Sequence, residues 1–142
     1  MDTSFQEKSL WLVFVGLIVS FGLYAMVGVV PLLPLTDTRN VMPQQVVLFA
    51  LAIGVLVITQ VVGHVVIAIV DRQEETDERD RLISMLGVRN GSYVLATGVF
   101  TALCVAVATE GNFLFTHVLL AFWVLAQLVE TGTQLFLYRR GA

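Results

Sequence analysis

Polar side chains recur at helical spacing inside two long apolar blocks of this chain, and they are its best candidates for chemistry. Gln60 and His64 are four residues apart in one block, and Gln127, Glu130 and Gln134 follow at three- and four-residue steps in another. Residues at these spacings share one face of a helix. His64 and Glu130 both lie toward the C-terminal end of their blocks, so we expect them to meet in one buried polar cluster of all five residues.

Three roles are open for this cluster. Buried polar side chains can hold helices together through hydrogen bonds, contact a ligand or lipid, or relay a proton or ion. A relay fits His64 and Glu130, because histidine changes charge near neutral pH and burial raises the proton affinity of a carboxylate. A conducting path would need more polar groups toward the other end of the helices, where the sequence offers little beyond Ser20, Tyr24 and Thr59. This shortage favours the hydrogen-bonding role.

The other classical arrangements of catalytic and metal-binding residues are missing from the sequence. Cys104 is the single cysteine, which excludes an intramolecular disulfide and a cysteine metal cluster. The two histidines, His64 and His117, lie in different blocks and lack the spacing of a helical zinc motif. We therefore expect no metal, no cofactor and no enzymatic activity, and we expect His117 to reach outward to an interface.

The elements that must position these residues are four apolar blocks. They are long enough, or nearly so, to cross a bilayer as helices, which takes about 20 residues at about 1.5 Å each. The chain is 57% hydrophobic and 13% charged, against about 25% charged residues in soluble proteins. We predict a single all-α domain over 1–142, a transmembrane four-helix bundle with spans at 10–30, 46–70, 92–109 and 113–138.

The connections between the blocks define two antiparallel hairpins. Pro31 should end the first span because it has no amide hydrogen to donate. The stretch 71–91 should form a charged loop with a short helix, capped by Thr76 or Asp77, that lies along the membrane interface or runs directly into the third span. Only about three residues separate the last two spans, which neighbouring antiparallel helices tolerate.

The distribution of basic residues predicts the orientation. Four spans place both termini and the 71–91 loop on one side, which holds seven of the eight Lys and Arg residues. Such residues concentrate on the cytoplasmic side of membranes. We expect a multi-pass protein with both termini cytoplasmic, and the scattered basic residues argue against binding to nucleic acid.

Small residues follow the third block at intervals that suit helix packing. Gly98, Ala102 and Ala106 repeat every four residues, and Gly91 precedes them by seven. Small side chains at this spacing allow helices to approach closely. We expect this face to pack within the bundle or against another copy of the chain.

Two segments, TDERDRLISMLGVRNGSYVL and the ending QLFLYRRG, carry a resemblance that covers roughly the C-terminal half. They resemble a family of small four-span prokaryotic integral membrane proteins of unknown function. The matching residues are Asp77, Glu78, Arg79, Asp80 and Arg81 before the third span, and Tyr138, Arg139 and Arg140 after the fourth. The resemblance implies the same topology and a prokaryotic plasma (inner) membrane, and it implies no activity.

Taken together, these features favour a non-enzymatic protein that acts by helix–helix association among membrane lipids. It would be a homo-oligomer or an accessory subunit of a membrane complex, with the charged residues 77–81 as its partner-contact surface. The alternative is a small transporter or proton-linked channel that uses Glu130 and His64.

Overall fold

The computed structural model describes residues 5–32, 40–70 and 77–140, and the regular structure of these residues is entirely helical. Its four long helices are α1 Phe5–Tyr24, α2 Pro43–Val70, α3 Glu78–Ala108 and α4 Phe113–Arg140. Each is long and apolar enough to cross a membrane. The predicted all-α fold with four membrane-length helices is confirmed. The predicted connection over 33–39 and the part of the charged loop at 71–76 lie outside the described residues.

The first helical segment extends beyond its predicted end. A π-helical turn at Ala25–Val29 and a 3-10 turn at Val30–Leu32 follow α1, so Pro31 lies inside the last turn instead of directly after the helix. Proline fits there because the wider and tighter turns have already left the regular α-helical hydrogen-bonding pattern. The second helix begins at Pro43, where the missing amide hydrogen costs no helical hydrogen bond.

The third helix is one continuous element of 31 residues. Asp77 is its N-cap, and the Asp77 carboxylate accepts a hydrogen bond from the amide of Glu78. The residues from Glu78 to Gly91 are the first turns of α3, so the loop contains no separate short helix in its described part. At the other end, Gly111 adopts a φ of 82°, a left-handed conformation that glycine tolerates and that suits the tight turn into α4.

The helices contact one another in the order α2, α1, α4, α3. Each neighbouring pair is antiparallel, as shown by contacts at both ends of the α1–α2 pair: Ser9 meets His64, and the backbone oxygen of Gly28 meets Gln45. Along α3 and α4, Gly87 faces Gln134 and Gly98 faces Phe122. The two predicted hairpins are therefore present, and α1 joins them by packing against α4.

Aromatic contacts hold α1 at the centre of this arrangement. The Phe21 ring lies 5.6 Å from the Trp123 ring of α4 and 6.3 Å from the Phe49 ring of α2. Leu17, Phe21 and Tyr24 are buried, whereas the outer surfaces of all four helices expose large apolar side chains. An apolar exterior suits a lipid environment, because hydrocarbon solvates it without penalty.

Candidate functional site: polar contacts between the helices

His64 lies in the interface between α1 and α2. Its Nδ1 is 2.8 Å from the backbone oxygen of Gln60, and its Nε2 is 2.7 Å from the hydroxyl of Ser9. A carbonyl oxygen can only accept, so Nδ1 carries the hydrogen, and in the neutral ring Nε2 accepts from the Ser9 hydroxyl. The Nδ1 bond holds the ring on its own helix, and the Nε2 bond joins α2 to α1.

Gln60 extends this link by one helical turn. Its Nε2 donates to the backbone oxygen of Leu12 at 3.4 Å, and a side-chain carbon added at Gly16 would lie only 2.8 Å from the same nitrogen. The absence of a side chain at Gly16 thus makes room for the amide. The other amide atom, Oε1, is buried and has no hydrogen-bonding partner among the described residues.

Glu130 lies on a different interface, and the predicted contact with His64 is not formed. Glu130 packs against Gly91 of α3. A side-chain carbon added at Gly91 would lie 3.0 Å from the Cβ of Glu130. Helix α2 makes no close backbone approach to α4 in the described ranges, because α1 lies between them. The two residues belong to helices that are not neighbours, so the five polar residues do not form one cluster.

The two glutamines of α4 have different surroundings. Gln134 is buried and packs over Gly87 of α3, where its Cγ would lie 2.5 Å from an added side-chain carbon. Gln127 is half-buried, and its backbone oxygen accepts a hydrogen bond from the hydroxyl of Thr131 at 2.7 Å. Within the described residues, neither the Gln127 amide nor the Glu130 carboxylate has a hydrogen-bonding partner. The polar face of α4 is therefore only partly used in packing.

A second polar cluster, which the sequence analysis missed, joins three helix ends. The Tyr138 hydroxyl lies 2.7 Å from Oδ1 of Asp80 and 2.8 Å from Oε1 of Gln6, and the Gln6 amide donates to Oδ2 of Asp80 at 3.0 Å. We call these three residues the end clamp. Asp80 and Tyr138 belong to the two segments singled out above, but nothing local in either segment indicates that they meet.

His117 also turns inward instead of reaching outward. Its Nδ1 lies 2.8 Å from the backbone oxygen of Phe113, and its Nε2 lies 3.1 Å from the Tyr24 hydroxyl. The Tyr24 and His117 rings are nearly parallel, at 5° and 6.1 Å between centroids. This is the His64 arrangement repeated: each histidine uses the carbonyl four residues earlier and a hydroxyl of α1. Both histidines therefore act as links between helices.

The predicted partner-contact residues divide into two groups. Asp77 caps α3, and Asp80 is held in the end clamp. Glu78, Arg79 and Arg81 are exposed at the start of α3. Asp77 is exposed as well, so Asp80 alone of the five is drawn into contacts between helices.

The small residues of α3 form a packing face against α4 that ends earlier than predicted. Gly91, Gly98 and Ala102 are buried, but Ala106 is exposed. A step of four residues advances about 40° beyond a full helical turn, so a four-residue repeat drifts off the contact face. Gly87, one step before Gly91, is buried and takes its place in the interface.

No group of His, Cys, Asp and Glu that could hold a metal ion occurs among the residues at 5–32, 40–70 and 77–140. The site is thus a set of hydrogen-bonded links between helices together with the Glu130 carboxylate, to which no described residue hydrogen-bonds. Comparison of the chain with protein-family models, curated proteins and solved structures finds no match.

Proposed function

We propose that this chain is a non-enzymatic multi-pass membrane protein that acts through helix–helix association, as a homo-oligomer or as an accessory subunit of a membrane complex. Its proposed location is a prokaryotic plasma membrane, with both termini in the cytoplasm. The concentration of Lys and Arg at one end of the helices supports this orientation.

The observation that carries the proposal is the open outer face of α2. This helix packs on α1 and the turn that follows it, and makes no close backbone approach to α3 or α4 in the described residues. On the opposite side, Val47 and Val61 are more than half exposed, at 59% and 58%. A helix with one partner and a long open apolar face can accept a second partner.

Ala50 and Gly54, two small residues on this open face, support association in particular. A side-chain carbon added at Gly54 would meet no atom within 4 Å, whereas one added at Gly63, on the α1 side, would overlap Leu12. The packing of this chain therefore accounts for Gly63 and not for Gly54. Ala50 is exposed four residues before Gly54, and small residues at that spacing let another helix approach closely.

The exposed charges at the start of α3 are proposed to add cytoplasmic contacts to the same partner. Glu78 and Arg81 carry opposite charges, and both side chains are exposed. Exposed ion pairs contribute little to affinity, and they favour one partner and one orientation over others.

A photo-crosslinking amino acid placed at Val61 tests the proposal in native membranes. We expect a discrete product, at twice the mass of the chain for a homo-oligomer or at a constant larger mass for a complex. The same amino acid at Leu56, on the α1 side of α2, is the matched control and should give several times less product. Gly54→Leu should remove the Val61 product, because the added side chain blocks close approach. Equal products at both positions, or none at Val61, would contradict the proposal.

One observation favours a second candidate, a small proton-linked transporter. Glu130 is half-buried within α4, and no described residue hydrogen-bonds to its carboxylate. Acidic side chains in that situation often mark ion pathways. Proton flux into liposomes that is present in the natural chain and lost in Glu130→Gln would support this candidate, whereas flux that survives the substitution would eliminate it.

A further inference from the structure

An open groove with a volume of about 580 Å³ lies between α3 and α4. Its walls include Leu86, Arg89 and Asn90 from α3, and Val129, Thr133 and Phe136 from α4. The Asn90 amide donates to the Thr133 hydroxyl at 3.4 Å across its floor. No acidic side chain lines the groove.

Arg89 is the one charged side chain among the residues that line the groove. Arg89 is exposed, and it takes part in no hydrogen bond or ion pair with another described residue. The guanidinium of Arg140 lies 4.5 Å from the centre of the Phe136 ring. Two guanidinium groups are therefore associated with one groove, and each can bind a phosphate through two parallel hydrogen bonds.

The depth of the groove places it where lipid headgroups meet acyl chains. At about 1.5 Å per residue, Thr133 lies about 30 Å along α4 from Phe113, which equals the thickness of the hydrocarbon core. Arg140 lies about 10 Å farther along the helix, in the headgroup region. Val129 thus lines the part of the groove inside the hydrocarbon. Arg89 lies at its boundary, next to Asn90, which bonds to Thr133, and Leu86 lies about 4.5 Å nearer the headgroups along α3.

We infer that this groove is a binding site for an anionic phospholipid. The headgroup phosphate pairs with Arg89 and comes within reach of Arg140, and an acyl chain lies against Val129. A lipid with net negative charge should bind better than a zwitterionic one. No acidic residue lines the groove, so the positive amine of a zwitterionic headgroup would have no carboxylate there to pair with. Basic pockets between spanning helices on the cytoplasmic side bind such headgroups in general.

Native mass spectrometry of the full chain in detergent tests this site. The protein is incubated with equal amounts of phosphatidylglycerol and phosphatidylcholine, and we expect phosphatidylglycerol to be retained about fivefold better. Arg89→Gln should abolish that preference. The matched control is Arg81→Gln, which removes the same charge from the exposed start of α3 and should leave the preference unchanged.

Two further measurements, on an Arg89→Lys variant and in the presence of inorganic phosphate, complete the test. Arg89→Lys keeps the charge and loses the paired geometry, so it should retain part of the preference even if Arg89→Gln fails to fold. Inorganic phosphate at millimolar concentration should not displace the lipid, because the site also binds the acyl chain. Equal retention of both lipids, equal losses in Arg89→Gln and Arg81→Gln, or full displacement by phosphate would overturn the inference.

Discussion

At the scale of single residues, the polar side chains of this protein act mainly by joining neighbouring helices. His64 and His117 each bond to the carbonyl four residues earlier and to a hydroxyl supplied by α1. Hydrogen bonds between membrane helices contribute about 0.6 to 2 kcal/mol each. Here each histidine adds one such bond between α1 and a neighbouring helix.

The first prediction concerns the close packing of Gly98 in α3 against α4. A side-chain carbon at Gly98 would overlap Cβ and Cγ of Phe122, atoms too near the α4 backbone to move away alone. Gly98→Ala should therefore lower the free energy of unfolding by about 1–3 kcal/mol, as overpacking does in tight interfaces.

The measurement is unfolding in mixed detergent micelles, followed by circular dichroism. Gly22→Ala is the control, because a carbon added at Gly22 would meet no atom within 4 Å. That variant should be as stable as the natural chain or slightly more stable, since alanine favours a helix by about 1 kcal/mol. A Gly98→Ala protein as stable as Gly22→Ala would show that α3 and α4 do not approach closely there.

At the scale of elements, one side chain joins the end of the first helical segment to the start of the second. Gln45 is 1% exposed, and its amide nitrogen donates to the backbone oxygen of Gly28 at 3.1 Å, in the π-helical turn. Its Oε1 accepts from the amide of Met42 at 2.9 Å. The second contact is half of a capping box, in which the third helical residue bonds back to the N-cap.

Replacement of Gln45 by leucine should destabilise this end of the α1–α2 pair. It leaves the Met42 amide and the Gly28 carbonyl without their partner, at about 1–3 kcal/mol for each buried group. Gln44→Leu is the matched control, since Gln44 is exposed one residue away, and it should change stability by less than about 0.5 kcal/mol. Equal stabilities of the two variants in detergent unfolding would contradict this role of Gln45.

At the scale of the whole molecule, the end clamp holds together helices that are far apart in sequence. Tyr138, Asp80 and Gln6 come from α4, α3 and α1, and α1 and α3 make no close backbone approach elsewhere in the described ranges. Within the described ranges, helix α2 itself forms no hydrogen bond beyond α1 and the turn that follows it. The amide of Val41, just before α2, donates to the Asn112 side chain ahead of α4 at 2.8 Å. The molecule is thus anchored on the α1, α3 and α4 side and open on the α2 side, as the proposed association requires.

Loss of the clamp hydroxyl provides a test at this scale. Tyr138→Phe should lower stability by about 1 kcal/mol, because it removes the one hydroxyl hydrogen that the Asp80 carboxylate and the Gln6 amide oxygen share and leaves Asp80 with fewer partners. Tyr93→Phe is the control, as Tyr93 is 67% exposed, and it should have little effect. Hydrogen exchange at the first turns of α1 and α3 should rise in Tyr138→Phe alone. Unchanged exchange there would show that the clamp does not hold these ends together.

Features that depend on residues close together in the chain could be predicted from the sequence. Four helices follow from four long apolar blocks, because lipid solvates such blocks only when their backbone groups are bonded within the segment. The cap at Asp77 and the tight turn at Gly111 follow from local chemistry as well. The packing face of α3 was only partly predictable, since a four-residue repeat drifts around the helix and leaves Ala106 outside.

The order in which the helices pack could not be predicted from the sequence. Apolar blocks of similar length can be arranged in several orders, and nothing in the spacing of His64 and Glu130 reveals that α1 separates their helices. The order depends on how side chains such as Leu12 and Phe122 fit over Gly63 and Gly98. These are contacts between residues that are distant in the chain, and their energies depend on shape, which a linear pattern of polar and apolar residues does not contain.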